Sequence, residues 1–350
     1  MIDWILAERL ARYLAGTGDA RPPSTDLTSL AAESERRVVA YTGLTPSGSL
    51  PAPEGISRRD WVSSNISSMR ALLDPVLERA GAGLGPLRPA VQIAVGVVLT
   101  TEVAVVVGYL AQRVLGQYEL VLLDEAADAR PPRLLFVLPN LGEAVRAFGA
   151  EEGEFVTWVT LHEVTHAVQF SGVPWLQSHL AGLVRELLDG AEVRLDSSRR
   201  LRWPTRAGMI RVGDALRRGD FMSLVVSPTE RSVLDRVQAV MAVIEGHAEH
   251  VMDAVAPDLL PSLPRLRDSL NRRRRSQSTL SRIVARMLGL ELKLRQYEQG
   301  KIFCDVIVEA DGTEALHYVF SSPGALPTLT ELRDPPLWLA RTSADRHPSL

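Results

Sequence analysis

The amino-acid sequence predicts a mainly α-helical fold with a small β-sheet, an α+β protein of 350 residues. Hydrophobic residues make up 46% of the chain but aromatic residues only 5%, an aliphatic composition that favours helices. Most of the chain repeats apolar residues at helical spacing, whereas only two short apolar runs are typical of strands. We expect residues 1–85 to form an N-terminal helical region and residues 86–350 to hold the functional site. The sequence leaves open whether these are two domains or two parts of one continuous domain.

The first helices are separated by polar connections. Helices are predicted at residues 1–15, 30–41 and 58–80, with a loop over 42–57 that contains three glycines and three prolines. The N-terminal residues have the pattern of an amphipathic helix and lack the basic segment and the small-residue cleavage site of a signal peptide. We therefore expect a cytoplasmic protein and not a secreted one.

A long apolar segment, Ile93–Ala111, raises the question of a membrane span. Glu102 lies at its centre, and a central acidic residue costs about 2.5–3.5 kcal/mol on insertion scales. We therefore predict a buried core helix with small residues for close packing, and no stable membrane span.

Two short apolar runs, Tyr118–Asp124 and Leu134–Leu138, are predicted strands, and Pro139-Asn140 is expected to end the second. The second run precedes the helix described next. It is either a sheet edge that could accept an extended peptide by strand addition, or one arm of a structural hairpin.

The segment Ala150–Gly172 contains His162-Glu163-Val164-Thr165-His166, the H-E-x-x-H pattern. At about 100° per residue, the two histidines lie one turn apart on one helix face, where both imidazoles can bind one metal ion. Glu163 points to the side, where its carboxylate can reach a water molecule beside the metal without being a ligand.

The third ligand is expected on a second helix, Ser227–Val255. This helix begins with the capping box Ser227-Pro228-Thr229-Glu230. Glu245 and Glu249 share one flank of it, and His247 lies on the other flank. We predict Glu245 as the ligand.

Two neighbours of Glu245 have predicted roles. Glu249 is expected to accept the free N–H of a ligating histidine and so fix its orientation. Gly246 is expected to remove bulk beside the metal and to let the two helices approach.

The rest of the chain is predicted as helices and loops. The predicted elements are helices at 176–188, 205–217, 280–298 (closed by Gly300) and 312–320, a small strand at 306–308, and a loop-rich C-terminal tail.

Composition narrows the function classes. The net charge of −3 argues against a nucleic-acid-binding protein. The single cysteine, Cys304, excludes an internal disulfide and a multi-cysteine zinc site. A metal would therefore be held by histidine and carboxylate.

Longer strings of residues resemble a known family. H-E-V-T-H at 162–166 followed by E-G-H-A-E at 245–249 resembles the gluzincin type of zinc metallopeptidase. The strings V-L-G-Q-Y at 114–118 and K-L-R-Q-Y-E-Q-G at 293–300 are similar to zincin-like hydrolases of Actinobacteria and Chloroflexi, some labelled as associated with deazaflavin-coenzyme biosynthesis. The resemblance covers residues 58–341 and implies a zincin-like metalloprotease core.

The expected activity is zinc-dependent hydrolysis of a peptide or amide bond. Glu163 would act as the general base and then protonate the leaving nitrogen. Oxyanion donors remain open among four residues, His247, His250, Arg295 and Tyr297.

Two other functions are weighed against hydrolysis. One is a catalytically inactive zincin-like protein that binds a partner and has a structural or empty metal site. The other is a di-iron oxygenase, because Glu163-x-x-His166 matches half of its ligand pattern. The second Glu-x-x-His is absent from residues 227–255, so zinc is favoured over iron.

Overall fold

The computed structural model describes residues 2–19, 21–82, 88–119, 131–197, 228–257, 259–260 and 290–346. Among these residues, helices predominate around one small sheet, which confirms the predicted fold class. The helices are α1 (Trp4–Ala15), α2 (Leu27–Thr42), α3 (Arg58–Ala82), α4 (Arg88–Ala111), α5 (Leu138–Phe148), α6 (Glu152–Gly172), α7 (Leu176–Ser197), α8 (Pro228–Val255), α9 (Leu290–Asp311), α10 (Glu314–Val319), α11 (Leu329–Arg333) and α12 (Pro335–Arg346). The strands are β1 (Pro53–Ile56), β2 (Gly116–Glu119) and β3 (Arg133–Val137).

The strand β3 lies at the centre of the sheet. Its neighbours are β1, which runs parallel to it, and β2, which runs antiparallel, in the order β1-β3-β2. Of the two alternatives for this strand, the sheet edge is therefore wrong, and the antiparallel pairing with β2 agrees with the structural hairpin. The edge strand nearest to α6 is β2. The partner β1 falls in the predicted loop because Pro-Glu-Gly-Ile has almost no strand propensity, so it is tertiary pairing that makes it a strand.

Both faces of β3 are buried, which explains its continuous apolar sequence. Leu134 and Phe136 pack in a cluster with α2, α5 and α6, whereas Leu135 and Val137 pack with α1, α3 and α4. All four are fully buried, and each such side chain contributes about 1.5–3 kcal/mol of hydrophobic stabilisation. The strand thus anchors α6, whose buried face rests on the first cluster.

The helices α1, α3 and α4 pack on the opposite face of the sheet. After Trp4, the buried residues of α1 are all small, namely Ala7, Ala11 and Ala15, and a Cβ on Gly108 of α4 would lie 3.1 Å from the backbone oxygen of Ala11. These contacts join residues before and after residue 85, and the division of the chain at that point stays a prediction.

The apolar segment Ile93–Ala111 forms most of α4. Val103, Ala104 and Val107 are buried, but Ile93 is 69% exposed and Val97 is 62% exposed, so α4 is a half-buried helix and the predicted full burial is wrong. Its apolar sequence covers the whole circumference, and periodicity alone could not identify the covered side. No helix within the described ranges is long and apolar enough to cross a membrane.

A further helix, α5, follows β3 where the sequence predicted only that Pro139-Asn140 ends the strand. The strand ends at Val137, and Pro139 lies in the first turn of α5, a position that tolerates proline because its missing N–H has no helical partner. Asn140 is buried there: its Oδ1 accepts from Arg58 Nε at 2.6 Å, and its Nδ2 donates to Ala111 O at 2.9 Å.

The helix α9 differs from its prediction at both Gly300 and residues 306–308. It continues through Gly300 to Asp311, so the predicted helix end and the predicted small strand are both wrong. Gly300 and Gly246 lie at the crossing of α9 and α8, where a Cβ on either glycine would overlap the backbone of the other helix. Close helix contact, and not a stop signal, explains this glycine.

The C-terminal tail is helical rather than loop-rich. Pro335 and Pro336 begin α12, and Trp338 of that helix is fully buried against Phe303 of α9. Three predicted segments, the helix at 205–217 and the parts of other elements at 120–124 and 280–289, lie outside the described residues.

Candidate metal centre

The helix α6 presents the two histidines of the H-E-x-x-H pattern side by side. It begins after Glu151, whose carboxylate caps the helix by accepting from the N–H groups of Gly153 and Glu154. One turn separates His162 from His166, and their Nε2 atoms lie 3.1 Å apart. The rings meet edge to face, with centroids 4.6 Å apart.

The helix α8 brings Glu245 to the same point. Its Oε2 lies 3.8 Å from His162 Nε2 and 3.7 Å from His166 Nε2. Within the described part of the chain, these three residues are the one set of three or more His, Cys, Asp or Glu whose ligand atoms all lie within 4.8 Å of one another.

This triangle of atoms suits a small divalent cation. Ligands that surround zinc tetrahedrally at about 2.0–2.2 Å lie roughly 3.3–3.6 Å apart, close to the spacings observed here. Two imidazoles and one carboxylate form a donor set known from catalytic zinc sites, with a fourth position left for water. The side chains of His162, His166 and Glu245 are 25%, 11% and 23% exposed, so the cluster is recessed but open to solvent on one side.

The two imidazoles differ in their affinity for a proton. Burial and the neighbouring His166 lower the pKa of His162 to about 4. Burial also acts to lower the pKa of His166, but the adjacent carboxylate of Glu245 outweighs it and raises the pKa to about 9. The acidic side chain of Glu245 therefore makes the cluster attractive to a positive charge.

Glu163 lies beside this cluster and below the edge strand. It is 8% exposed, and its Oε2 accepts a hydrogen bond of 3.1 Å from the backbone N–H of Tyr118 in β2. Burial raises its pKa to about 7, with a smaller contribution from the charge of Glu245. A carboxylate with a pKa near neutrality can both accept and return a proton at physiological pH.

Gly116 makes room for Glu163. A Cβ at position 116 would lie 2.6 Å from Glu163 Cγ, so the strand can approach the carboxylate only where no side chain intervenes. Sequence reasoning did not assign Gly116 a role, although the residue belongs to the string V-L-G-Q-Y.

Gln169 is a second residue that sequence reasoning missed. Its Oε1 lies 2.9 Å from Nδ1 of His166, and its Nε2 lies 2.9 Å from the backbone oxygen of Ile244 and 2.8 Å from Nδ1 of His247. The residue is fully buried. Its position three residues after His166, on the same helix face, was the available signal.

Glu249 was expected to bind the free N–H of a ligating histidine, but the groups that contact the Nδ1 atoms of His162 and His166 are Met252 and Gln169. Gln169 faces Nδ1 of His166, and the sulfur of Met252 lies 3.3 Å from Nδ1 of His162. Met252 lies on the flank of α8 that Glu245 occupies, which the helical spacing would have indicated.

The predicted oxyanion donors lie in several environments. His247 is 1% exposed and packs edge to face on Phe320, and burial lowers its pKa to about 3. His250 lies between Tyr41 and Asp305, with its Nε2 2.8 Å from Tyr41 Oη and its Nδ1 2.7 Å from Asp305 Oδ1. Arg295 and Tyr297 belong to α9, and their side chains lie outside the described part of the structure.

Gly246 does let two helices approach, but they are α8 and α9. A Cβ at position 246 would meet the backbone of Gly300 and Lys301. The expectation that this glycine opens space toward the metal helix is therefore wrong, because it faces the opposite side of α8.

Two comparisons with known proteins found matches over nearly the whole chain. The zincin-like metallopeptidase family matches residues 2–339. A crystal structure described as "a putative hydrolase with a novel fold" from Chloroflexus aurantiacus is 30% identical, with a TM-score of 0.69 over 98% of this chain and 99% of that chain. None of the curated proteins matches the chain. The extent of the family match shows that the chain belongs to the zincin-like metallopeptidases.

Proposed function

We propose that the protein is a zinc-dependent metallopeptidase that hydrolyses peptide or amide bonds. The observation that supports this most directly is the convergence of His162, His166 and Glu245 from two helices, with the buried carboxylate of Glu163 beside them. His162 Nε2, His166 Nε2 and a carboxylate oxygen of Glu245 would hold the ion. Zinc in such a site lowers the pKa of water toward about 7 and polarises a carbonyl group.

Glu163 would move the protons of the reaction. Its carboxylate accepts a proton from the attacking water and delivers it to the leaving nitrogen. Burial raises its pKa to about 7, close to physiological pH, which suits a group that both takes up and returns a proton. The hydrogen bond from Tyr118 N–H holds the carboxylate in place without taking up its second oxygen.

The edge strand β2 is the proposed support for an extended substrate. Val137 N–H donates to Leu115 O at 2.9 Å, and in an antiparallel pair the bonding groups alternate in direction. The N–H of Tyr118 therefore faces away from β3 and toward Glu163. An extended peptide lying along this edge would run beside the carboxylate, while the N–H of Tyr118 stays bonded to Glu163 and the other outward-facing backbone groups of β2 remain for strand addition.

Tyr297 and Arg295 are the proposed oxyanion donors. Both precede Gly300 on α9 by less than two turns, and Gly300 contacts Gly246, the residue after Glu245. His247 and His250 are engaged with Gln169 and with Tyr41 and Asp305, so we assign them to support of the site rather than to contact with substrate.

The test is the substitution Glu163→Gln, compared with Glu152→Gln in the first turn of the same helix. Metal content is measured by emission spectroscopy and hydrolysis by turnover of a peptide library. We expect Glu163→Gln to retain one zinc and to lose activity by at least about 10²–10⁴-fold, and Glu152→Gln to resemble the wild type. Undiminished turnover in Glu163→Gln would reject the assigned role. A wild-type protein that binds zinc without turnover would instead be the inactive, partner-binding member of the family.

A further inference from the structure

We propose that Gln169 is a positioning residue, whose side-chain amide sets the tautomer of His166 and ties that imidazole to the helix that supplies Glu245. This inference rests on the proposed metal site. It concerns a buried amide behind the ligands, which contacts both His166 on α6 and the backbone of Ile244 on α8.

The backbone oxygen of Ile244 determines the orientation of the amide. A carbonyl oxygen only accepts hydrogen bonds, so the atom of Gln169 that lies 2.9 Å from it must be the nitrogen Nε2. With the amide reversed, two oxygens would face each other in a site without solvent, which is strongly unfavourable. The second hydrogen of Nε2 points at Nδ1 of His247, 2.8 Å away.

The tautomer of His166 follows from this orientation. Oε1 of Gln169 can only accept, so Nδ1 of His166, 2.9 Å away, carries the proton. In the neutral imidazole, which is the form that binds a metal, the lone pair then lies on Nε2, the atom that faces His162 and Glu245. The same logic assigns the opposite tautomer to His247, whose Nδ1 accepts and whose Nε2 carries the proton.

The amide also links the two sources of ligands. Ile244 directly precedes Glu245, so the hydrogen bond from Gln169 holds the backbone of α8 at the point where the carboxylate ligand begins. His166 and Gln169 lie one turn apart on α6. A single side chain therefore couples the orientation of an imidazole ligand to the position of the carboxylate ligand.

Glutamine is suited to this position by its mixture of donors and acceptor. Its amide oxygen faces Nδ1 of His166, and its two N–H groups face the backbone oxygen of Ile244 and Nδ1 of His247. A carboxylate could serve His166 but would repel the oxygen of Ile244, and a methionine of similar length could serve neither.

The first experiment measures tautomers in the wild-type protein. Histidine labelled with ¹⁵N distinguishes protonated Nδ1 from protonated Nε2 in zinc-loaded protein. We expect His166 to be protonated at Nδ1 and His247 at Nε2. A His247 protonated at Nδ1 would mean that the amide is reversed, and would overturn the inference without involving any variant.

The second experiment compares Gln169→Met with Gln112→Met, because Gln112 is an exposed glutamine that directly follows α4 and donates its side-chain hydrogen bond to the backbone oxygen of Leu14. Zinc affinity is measured by competition with a chelator. We expect Gln169→Met to bind zinc roughly 10–100-fold more weakly and to lose the protected Nδ1 proton of His166, whereas Gln112→Met retains both. Unchanged affinity and an unchanged Nδ1 signal in a folded Gln169→Met protein would contradict the proposal.

These measurements separate failure of the inference from failure of the proposed function. A wild-type protein that takes up no zinc would reject the metallopeptidase proposal, while the tautomer of His247 in the metal-free protein would still test the orientation of the amide. Zinc uptake together with the opposite His247 tautomer would reject the inference alone. If Gln169→Met does not fold, the wild-type spectrum decides.

Discussion

At the scale of single residues, the ligand set depends on which of two glutamates on α8 faces the histidines. Glu245 lies within 3.8 Å of both Nε2 atoms, whereas Glu249, one turn later, is not part of the cluster. The two residues have the same side chain on the same helix, which makes them a matched pair for substitution.

We expect Glu245→Gln to weaken zinc binding by at least about 10²-fold and Glu249→Gln to change it by less than about threefold, because only the first removes a charged ligand. Isothermal titration of metal-free protein with zinc measures both. A larger loss in Glu249→Gln than in Glu245→Gln would contradict the assignment and would favour Glu249 as the ligand.

Glu163 links the proposed chemistry to stability. Because its pKa is raised to about 7 in the folded protein, the unfolded chain loses a proton between pH 4.5 and 7 that the folded chain retains. The free energy of unfolding of the metal-free protein therefore receives a contribution from Glu163 that falls as pH rises through this range, by up to about 1.4 kcal/mol per pH unit.

Substitution Glu163→Gln should remove this contribution. We expect the metal-free variant to be more stable than the wild type at pH 8, by on the order of 1–3 kcal/mol, and to differ less at pH 5. Urea denaturation of chelator-treated proteins at the two pH values provides the comparison. A stability difference that does not grow with pH would show that the carboxylate is ionised at its ordinary pKa.

At the scale of elements, the crossing with α9 positions α8, the helix that carries Glu245. Gly246 and Gly300 face each other there, and the contact leaves no volume for a methyl group. The buried residues Ala242, Val243 and Phe303 pack near the same crossing, within the cluster that joins α7, α8 and α9.

We expect Gly300→Ala to lower the free energy of unfolding by at least about 1–3 kcal/mol, since the added methyl group overpacks the crossing. The matched control is Gly182→Ala in α7, where a Cβ meets nothing within 4 Å. There the substitution should stabilise the helix by about 0.5–1 kcal/mol. Equal stability of Gly300→Ala and wild type in thermal denaturation would mean that the helices are not in close contact.

At the scale of the whole molecule, a metal ion would join two distant parts of the chain. Its ligands come from α6 and α8, which are separated in sequence by α7 and by residues outside the described part. An ion that binds only the folded arrangement stabilises the protein by mass action, by about 2.7 kcal/mol at a free concentration 100 times the dissociation constant.

We therefore expect zinc to raise the Tm of the wild type, a chelator to reverse the shift, and His162→Ala to show no shift. The shift should shrink as pH falls, because His166, with a pKa raised to about 9, must release a proton when it binds metal. Differential scanning calorimetry at pH 6 and pH 8 measures this. A shift of equal size in His162→Ala would locate the stabilising metal elsewhere in the protein.

The sequence by itself determined the local features of this protein. Helical spacing places His162, His166 and Glu163 correctly relative to one another, because residues four apart on one helix have a fixed geometry. The mainly helical class and the central strand β3 were also predictable, since aliphatic periodicity and a doubly buried apolar run reflect burial directly.

Only the tertiary structure decided the features that depend on contact between distant segments. The strand β1, the role of Gln169 between His166 and Ile244, and the close approach of Gly246 to Gly300 each require a partner more than 50 residues away in sequence. Local propensity contains no information about such partners. The roles of the Pro-Glu-Gly-Ile segment, the buried glutamine and the helical glycines are therefore visible only in the folded chain, where each meets its partner.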